Sequence, residues 1–200
     1  MWQRLTAIPR AHPFAFAIAM TTAKTGSADL WVQKFVEKRE KIDWRRNGAF
    51  VAFAVSYLGA WQYALFVKIM PRLVPGAAAF AAKGLREKWA DKAGLRGLVI
   101  QNFVENGINN PILFFPIFYT IKEFVEGGPL EDGIKKYRAN FREDLCAIWS
   151  VWVPAQFINF AFSPLWFRVP FVALVSMGWT AFVSFKRGQR QEIREEDEAS

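Results

Sequence analysis

Of 200 residues only one is cysteine, Cys146, and only one is histidine, His12. A single thiol excludes an internal disulfide, and one imidazole leaves no Cys/His set for a structural or catalytic zinc. No Gly-rich phosphate loop and no Gly-x-Ser-x-Gly elbow is present, and Cys146 has no sequence-evident catalytic base. Neither a triad nor a metal hydrolase can be assembled from these residues, so the chain is expected to be no enzyme and to hold no cofactor and no metal. Acid is also scarce: 18 Asp and Glu face 26 Lys and Arg, a net charge of +8.

What the chain does have is apolar residue in blocks. It is 52% hydrophobic with a mean hydropathy of +0.07 although 22% of it is charged, so the two classes are segregated along the sequence. Leu145 to Phe167 carries no charge and is long enough to cross a bilayer, which takes about 20 apolar residues. The basic residues flank such blocks, at Lys34 to Arg46, Lys83 to Arg96 and Lys186 to Arg194. Flanks of this kind hold helix ends at headgroups and attract anionic lipid, which argues against nucleic acid as the partner of the charge.

Five helical membrane elements follow: about Phe14 to Phe35, interrupted by Lys24 and Asp29; Gly48 to Val67; about Leu98 to Ile121, with Pro111 and Pro116 inside; Leu145 to about Phe162; and Val169 to Phe185. The expected fold is an all-α integral membrane bundle of four to five membrane helices with short amphipathic surface helices. Residues 1–187 form one membrane-embedded domain and 188–200 a charged, solvated tail. Ala77 to Lys92 reads as a surface helix laying Phe80, Leu85 and Trp89 on the membrane, and Glu131 to Asp144 as a second one. The last two elements should form a hairpin turning at Ser163 to Arg168, where Arg168 needs water, headgroups or an acidic partner. Consecutive loops are all basic, so the positive-inside bias cancels and orientation is not decided.

Two ladders of small residues suit close helix packing: Ala11, Ala15, Ala19, Ala23 and Ser27, and Gly48, Ala52, Ser56, Ala60 and Ala64. Val51 and Phe53 are then expected to face lipid. The nine Trp mostly fall near predicted helix ends, as an interfacial belt does.

Asn102, Glu105, Asn106, Asn109 and Asn110 follow the spacing of one helical face, at a depth where such a face cannot look at lipid. With Gln156, Asn159, Lys24 and Asp29 they form a candidate polar interior. It is either an interhelical hydrogen-bond network or the lining of a narrow solute path.

The order Trp152, Gln156, Asn159-Phe160, Pro164 and Arg168, then Trp179 and Ser184, resembles the signature of the Mpv-seventeen / twenty-two-kilodalton peroxisomal membrane protein family. His12-Pro13 and Asp29 with Gln33 resemble its N-terminal motif. Glu105-Asn106 with Pro111 stands where the family has Asp-Gln followed by Pro. The resemblance covers residues 12 to 187 and implies a four-span protein of the mitochondrial inner membrane or the peroxisome. It also implies a solute-conducting role or a part in organelle homeostasis. The first 28 residues hold Arg4, Arg10 and Lys24 but no acid, which favours the mitochondrial inner membrane over the peroxisomal alternative. Beside the solute channel stands an accessory or structural subunit of an inner-membrane assembly, with other membrane subunits, or a second copy, as partners. That reading is favoured because the polar stripe is short and broken by Pro111.

Overall fold

The structure, a computed structural model, describes residues 7–178. Trp179, Ser184 and the tail 188–200 lie outside them. Every regular element among the described residues is helical.

A short helix α1 (Ala7–Ala11) leads into α2 (Pro13–Trp31), where Pro13 occupies the first turn and needs no N–H partner. Val32–Val36 extend it in wider turns. Asp43 then caps α3 (Trp44–Leu73), its carboxylate accepting from the Arg46 N–H at 2.9 Å. Two short helices, α4 (Ala77–Ala82) and α5 (Leu85–Ala90), connect to a long rod, α6. It is built from Lys92–Phe103, Val104–Phe114 and Phe115–Glu126 without a break. Its middle third widens to π-type turns around Pro111, which has no N–H to donate. Gly127, with φ of 78°, ends α6 in the left-handed conformation that a side chain would strain. The helix α7 (Leu130–Phe162) returns, the chain breaks at Ser163-Pro164, and α8 (Leu165–Gly178) begins with a single 3-10 turn.

By length and hydropathy, α3 and α7 are each able to cross a membrane, and α8 is a shorter apolar helix. The core joins α2, α3, α4, α6, α7 and α8 through Ala17, Phe66, Phe80, Leu98, Phe160 and Val172. Phe66 and Phe160 meet edge to face at 5.4 Å.

Several expectations are corrected. Ala77 to Lys92 is not one surface helix: it breaks at Lys83-Gly84, Phe80 turns into the core, and only Leu85 and Trp89 stay exposed. Lys88 is buried, because its ammonium caps the end of α4 by donating to the carbonyls of Ala81 and Lys83. Glu131 to Asp144 is no separate surface helix but the first part of α7.

The small-residue ladders also face the other way. Ala15, Ala19 and Ala23 are exposed, as are Gly48, Ala52 and Ser56, while Ala60 and Ala64 are half-buried. Thr21, Asp29 and Gln33 share an inward face with Ala17. Polar groups of that kind must turn toward partners, and a face two residues away lies roughly 200° around the helix. The ladder of α2 is therefore rotated outward. Phe53 is buried, stacked on Tyr57 at 5.3 Å, and does not face lipid.

Candidate functional site

The polar face expected on α6 is present and buried: Asn102, Glu105, Asn106, Asn109 and Asn110 are all withdrawn from the surface. Their amides form a ladder along the rod. Asn106 donates to Asn102 Oδ1 at 3.0 Å, Asn110 to Asn106 Oδ1 at 3.1 Å, and Asn109 to Glu105 Oε2 at 3.0 Å. Cross-links tie the ladder to both neighbours. Trp61 Nε1 of α3 donates to Asn109 Oδ1 at 2.8 Å, Trp149 Nε1 of α7 donates to the Asn106 carbonyl at 2.8 Å, and Asn102 donates to the Val153 carbonyl at 2.9 Å. Two indoles assigned to an interfacial belt thus serve the interior. Pro111 leaves its own carbonyl to the Tyr137 hydroxyl, which donates to it at 2.7 Å.

A second polar cluster closes the start of the bundle. Asp29 accepts from Gln33 at 2.8 Å, from Asn47 at 3.0 Å and from Arg46 Nε at 2.7 Å, so that α2 and α3 share one ion-paired knot. Arg46 also donates to Glu37 in the loop beyond α2. The Arg46 hydrogen bond, with a further one from Arg39, holds the Glu37 carboxyl below its usual range against a smaller opposing effect of burial. Asp29 and Gln33 were anticipated; Arg46 and Asn47 were not, since their polar character was read as part of a basic flank.

A third cluster surrounds Arg168. Its guanidinium, fully withdrawn from solvent, donates to the Phe66 carbonyl at 3.3 Å and to Gln101 Oε1 at 3.0 Å, and lies 5.1 Å from the Phe160 ring centre. Among the described residues its acceptors are uncharged groups of the core, not an acid. Asn159 donates to the Arg168 carbonyl at 3.1 Å and to Gln156 Oε1 at 2.9 Å, which holds the Ser163-Pro164 turn against the end of α7.

Between these clusters lies a cavity of about 540 Å³. Glu105, Asn110, Gln156 and Trp152, all anticipated, reach it, as do Lys24 and Asp29. Asn102, Asn106, Asn109 and Asn159 are not part of its wall and serve as interhelical ties. Gln62 also lines the cavity and went unrecognised, although it is the one amide in the apolar run Gly48 to Val67. His12 and Pro13 lie at the start of α2, away from the cavity.

The model of the Mpv17 / PMP22 family matches residues 123–184. The zebrafish (Danio rerio) mitochondrial inner membrane protein Mpv17 is 23% identical over 93% of this chain and 96% of its own length. Protein sym-1 of Neurospora crassa is 26% identical over 90% and 94%. Bovine (Bos taurus) peroxisomal membrane protein 2 is 31% identical over half of each chain, 50% and 50%. No solved structure matches. The expected location, the mitochondrial inner membrane with the peroxisomal membrane as alternative, agrees with the names these relatives carry. A match to the Mpv17 / PMP22 model at the C-terminal end, joined to near full-length similarity to Mpv17 and sym-1, makes this chain similar to the Mpv17 / PMP22 family of membrane proteins.

Proposed function

We propose that the chain is a non-enzymatic, multi-pass membrane protein whose bundle holds a small solute in its central cavity and passes it across the membrane. Four to five helices cross in this reading: α3, α7, α2 and α6, with α8 as the fifth. The charges of α2 and α6 do not oppose this, because Asp29 and Glu105 turn inward. The observation that carries the reading is the cavity itself, about 540 Å³ with Lys24, Gln62, Glu105, Asn110 and Gln156 among its lining residues. Pure interhelical glue would leave no such space, whereas 300–1,000 Å³ is typical of small-molecule sites.

The test is flux through vesicles reconstituted with the full chain. Small polar solutes should leave such vesicles several-fold faster than protein-free ones, and Gln156→Trp, which fills the cavity, should abolish the difference. Efflux at the protein-free rate overturns the reading.

A second reading, accessory subunit of an inner-membrane assembly, is supported by the outward-facing Ala15, Ala19 and Ala23 of α2 beside Ala52 and Ser56 of α3. Small residues at a free helix face allow close approach of another membrane helix. Migration on a native gel as a large complex, shifted by Ala19→Leu, is the outcome this reading requires. Anionic headgroups are the expected lipid partners of the basic flanks.

A further inference from the structure

Two ionisable groups of opposite sign face the cavity from different helices, and among the described residues neither has a partner of the other sign. Lys24 comes from α2 and Glu105 from α6. Among the described residues neither takes part in an ion pair: the carboxylate of Glu105 accepts only the Asn109 amide, at 3.0 Å, and Lys24 has no side-chain hydrogen bond. The other charged groups on the wall, Asp29 and Arg46, are already paired with each other at 2.7 Å, and Arg46 also with Glu37. An acid and an amine at this depth ionise only at a cost, and a bound molecule that brings the opposite charge to each offsets it. A simple anion would satisfy Lys24 and leave Glu105 repelled; a simple cation would do the reverse.

Two further lining residues point the same way: Thr25 and Gln62 carry a buried Oγ1 and a buried Oε1 with no hydrogen-bond partner among the described residues. Gln62 is only 5% exposed, so bulk water does not satisfy its oxygen. Phe50, Phe114, Phe118 and Trp152 are the largest side chains of a mostly apolar lining that also holds Leu58 and Val151, surfaces suited to a hydrocarbon or aromatic body.

We propose that the cavity is a site for a zwitterion of the amino-acid class, its carboxylate on Lys24, its ammonium on Glu105 and its apolar body against the aromatic wall. The proposal rests on the reading of the cavity as a solute site. A binding measurement separates it from the question of passage.

The full chain, in nanodiscs of neutral phosphatidylcholine, is tested by equilibrium dialysis with four probes. Phenylalanine and 6-aminohexanoate carry both charges, close together and far apart; 3-phenylpropionate carries only the carboxylate and phenethylamine only the ammonium. At least one zwitterion should bind tenfold or more tightly than both single-charge probes. Lys24→Met should bring phenylalanine down to the level of phenethylamine, and Glu105→Gln should bring it down to that of 3-phenylpropionate. The wild-type series decides the matter even where a variant fails to fold. Binding of a single-charge probe equal to that of both zwitterions, or binding of none of the four, overturns the proposal. Flux without zwitterion preference defeats the proposal and leaves the solute reading intact; zwitterion binding without flux defeats passage and leaves the site.

Discussion

Arg46 Nε donates to Asp29 Oδ1 at 2.7 Å, joining the first turn of α3 to the end of α2 across a knot that both side chains leave almost no solvent to reach. Asp29 keeps its Gln33 and Asn47 donors if Arg46 is removed, but not its counter-charge. Arg46→Ala should therefore lower stability in a detergent melt by about 3 kcal/mol, the lower end of the cost of breaking a buried pair. Arg46→Lys should recover part of it, since a single ammonium cannot serve Asp29 and Glu37 together as the guanidinium does. Equal melting of wild type and Arg46→Ala would show the knot to be incidental.

The same knot gives a pH dependence with a definite sign. Glu37 has its folded-state pKa depressed, first by the Arg46 hydrogen bond. A depressed carboxylate contributes stability that is fully present above its unfolded pKa, ordinarily about 4.3, and is lost as pH falls through the lower folded value. Stability should thus fall below about pH 4, and Glu37→Gln should flatten that part of the profile. Asp91 moves in the same direction, held down chiefly by the Lys83 hydrogen bond with help from the Gly94 N–H, so Glu37→Gln alone should not remove the whole slope.

The all-helical class, the main apolar helices and the buried face of α6 were legible because each rests on local spacing: apolar run length, proline position and the i, i+3, i+4 recurrence of Asn and Glu. The rotation of α2 and α3 was not. Alanine tolerates lipid and helix contact alike, so its periodicity says that a close approach is allowed and not where it occurs. Thr21, Asp29 and Gln33 carried the information instead, since their polarity leaves one face only. The partners of Arg168 could not be read either: Phe66 and Gln101 are 102 and 67 residues away in sequence, and a backbone carbonyl has no compositional mark.

The close approach of α2 and α3 occurs at Gly59, where a Cβ would stand 3.0 Å from the Ile18 Cα. Backbone cannot yield as a flexible side chain can. Gly59→Val should force the pair apart and cost about 1 to 3 kcal/mol, the usual range for overpacking, whereas Ala19→Leu on the exposed side of α2 should be mild in the isolated protein. Thermal melts in one detergent compare the two directly. A larger loss at Ala19 than at Gly59 would restore the Ala ladder as the packed face.

Gly133 makes the corresponding approach between α7 and the end of α6, with a Cβ there falling 2.8 Å from the Tyr119 carbonyl oxygen. Gly133→Ala should loosen this crossing and expose the stacked rings of Phe115 and Tyr137, which lie 5.5 Å apart. Faster proteolysis near Gly127-Gly128 is the expected readout.

Arg168 offers the sharpest test of the interior. The guanidinium gives two hydrogen bonds through Nη1, while Nε and Nη2 have no partner among the described residues and no carboxylate pairs with it. Charges buried in this way are often matched or surpassed in stability by an apolar side chain of similar volume, by about 1 to 4 kcal/mol. Arg168→Met should therefore melt within about 1 kcal/mol of wild type or above it, while Arg168→Ala, which also leaves a void against Phe66 and Phe160, should lose about 2 to 5 kcal/mol. The two variants differ in volume and not in charge, so their difference isolates packing. If Met proves as damaging as Ala, the guanidinium itself holds α3, α6 and α8 together, and its charge belongs to the structure rather than being tolerated by it.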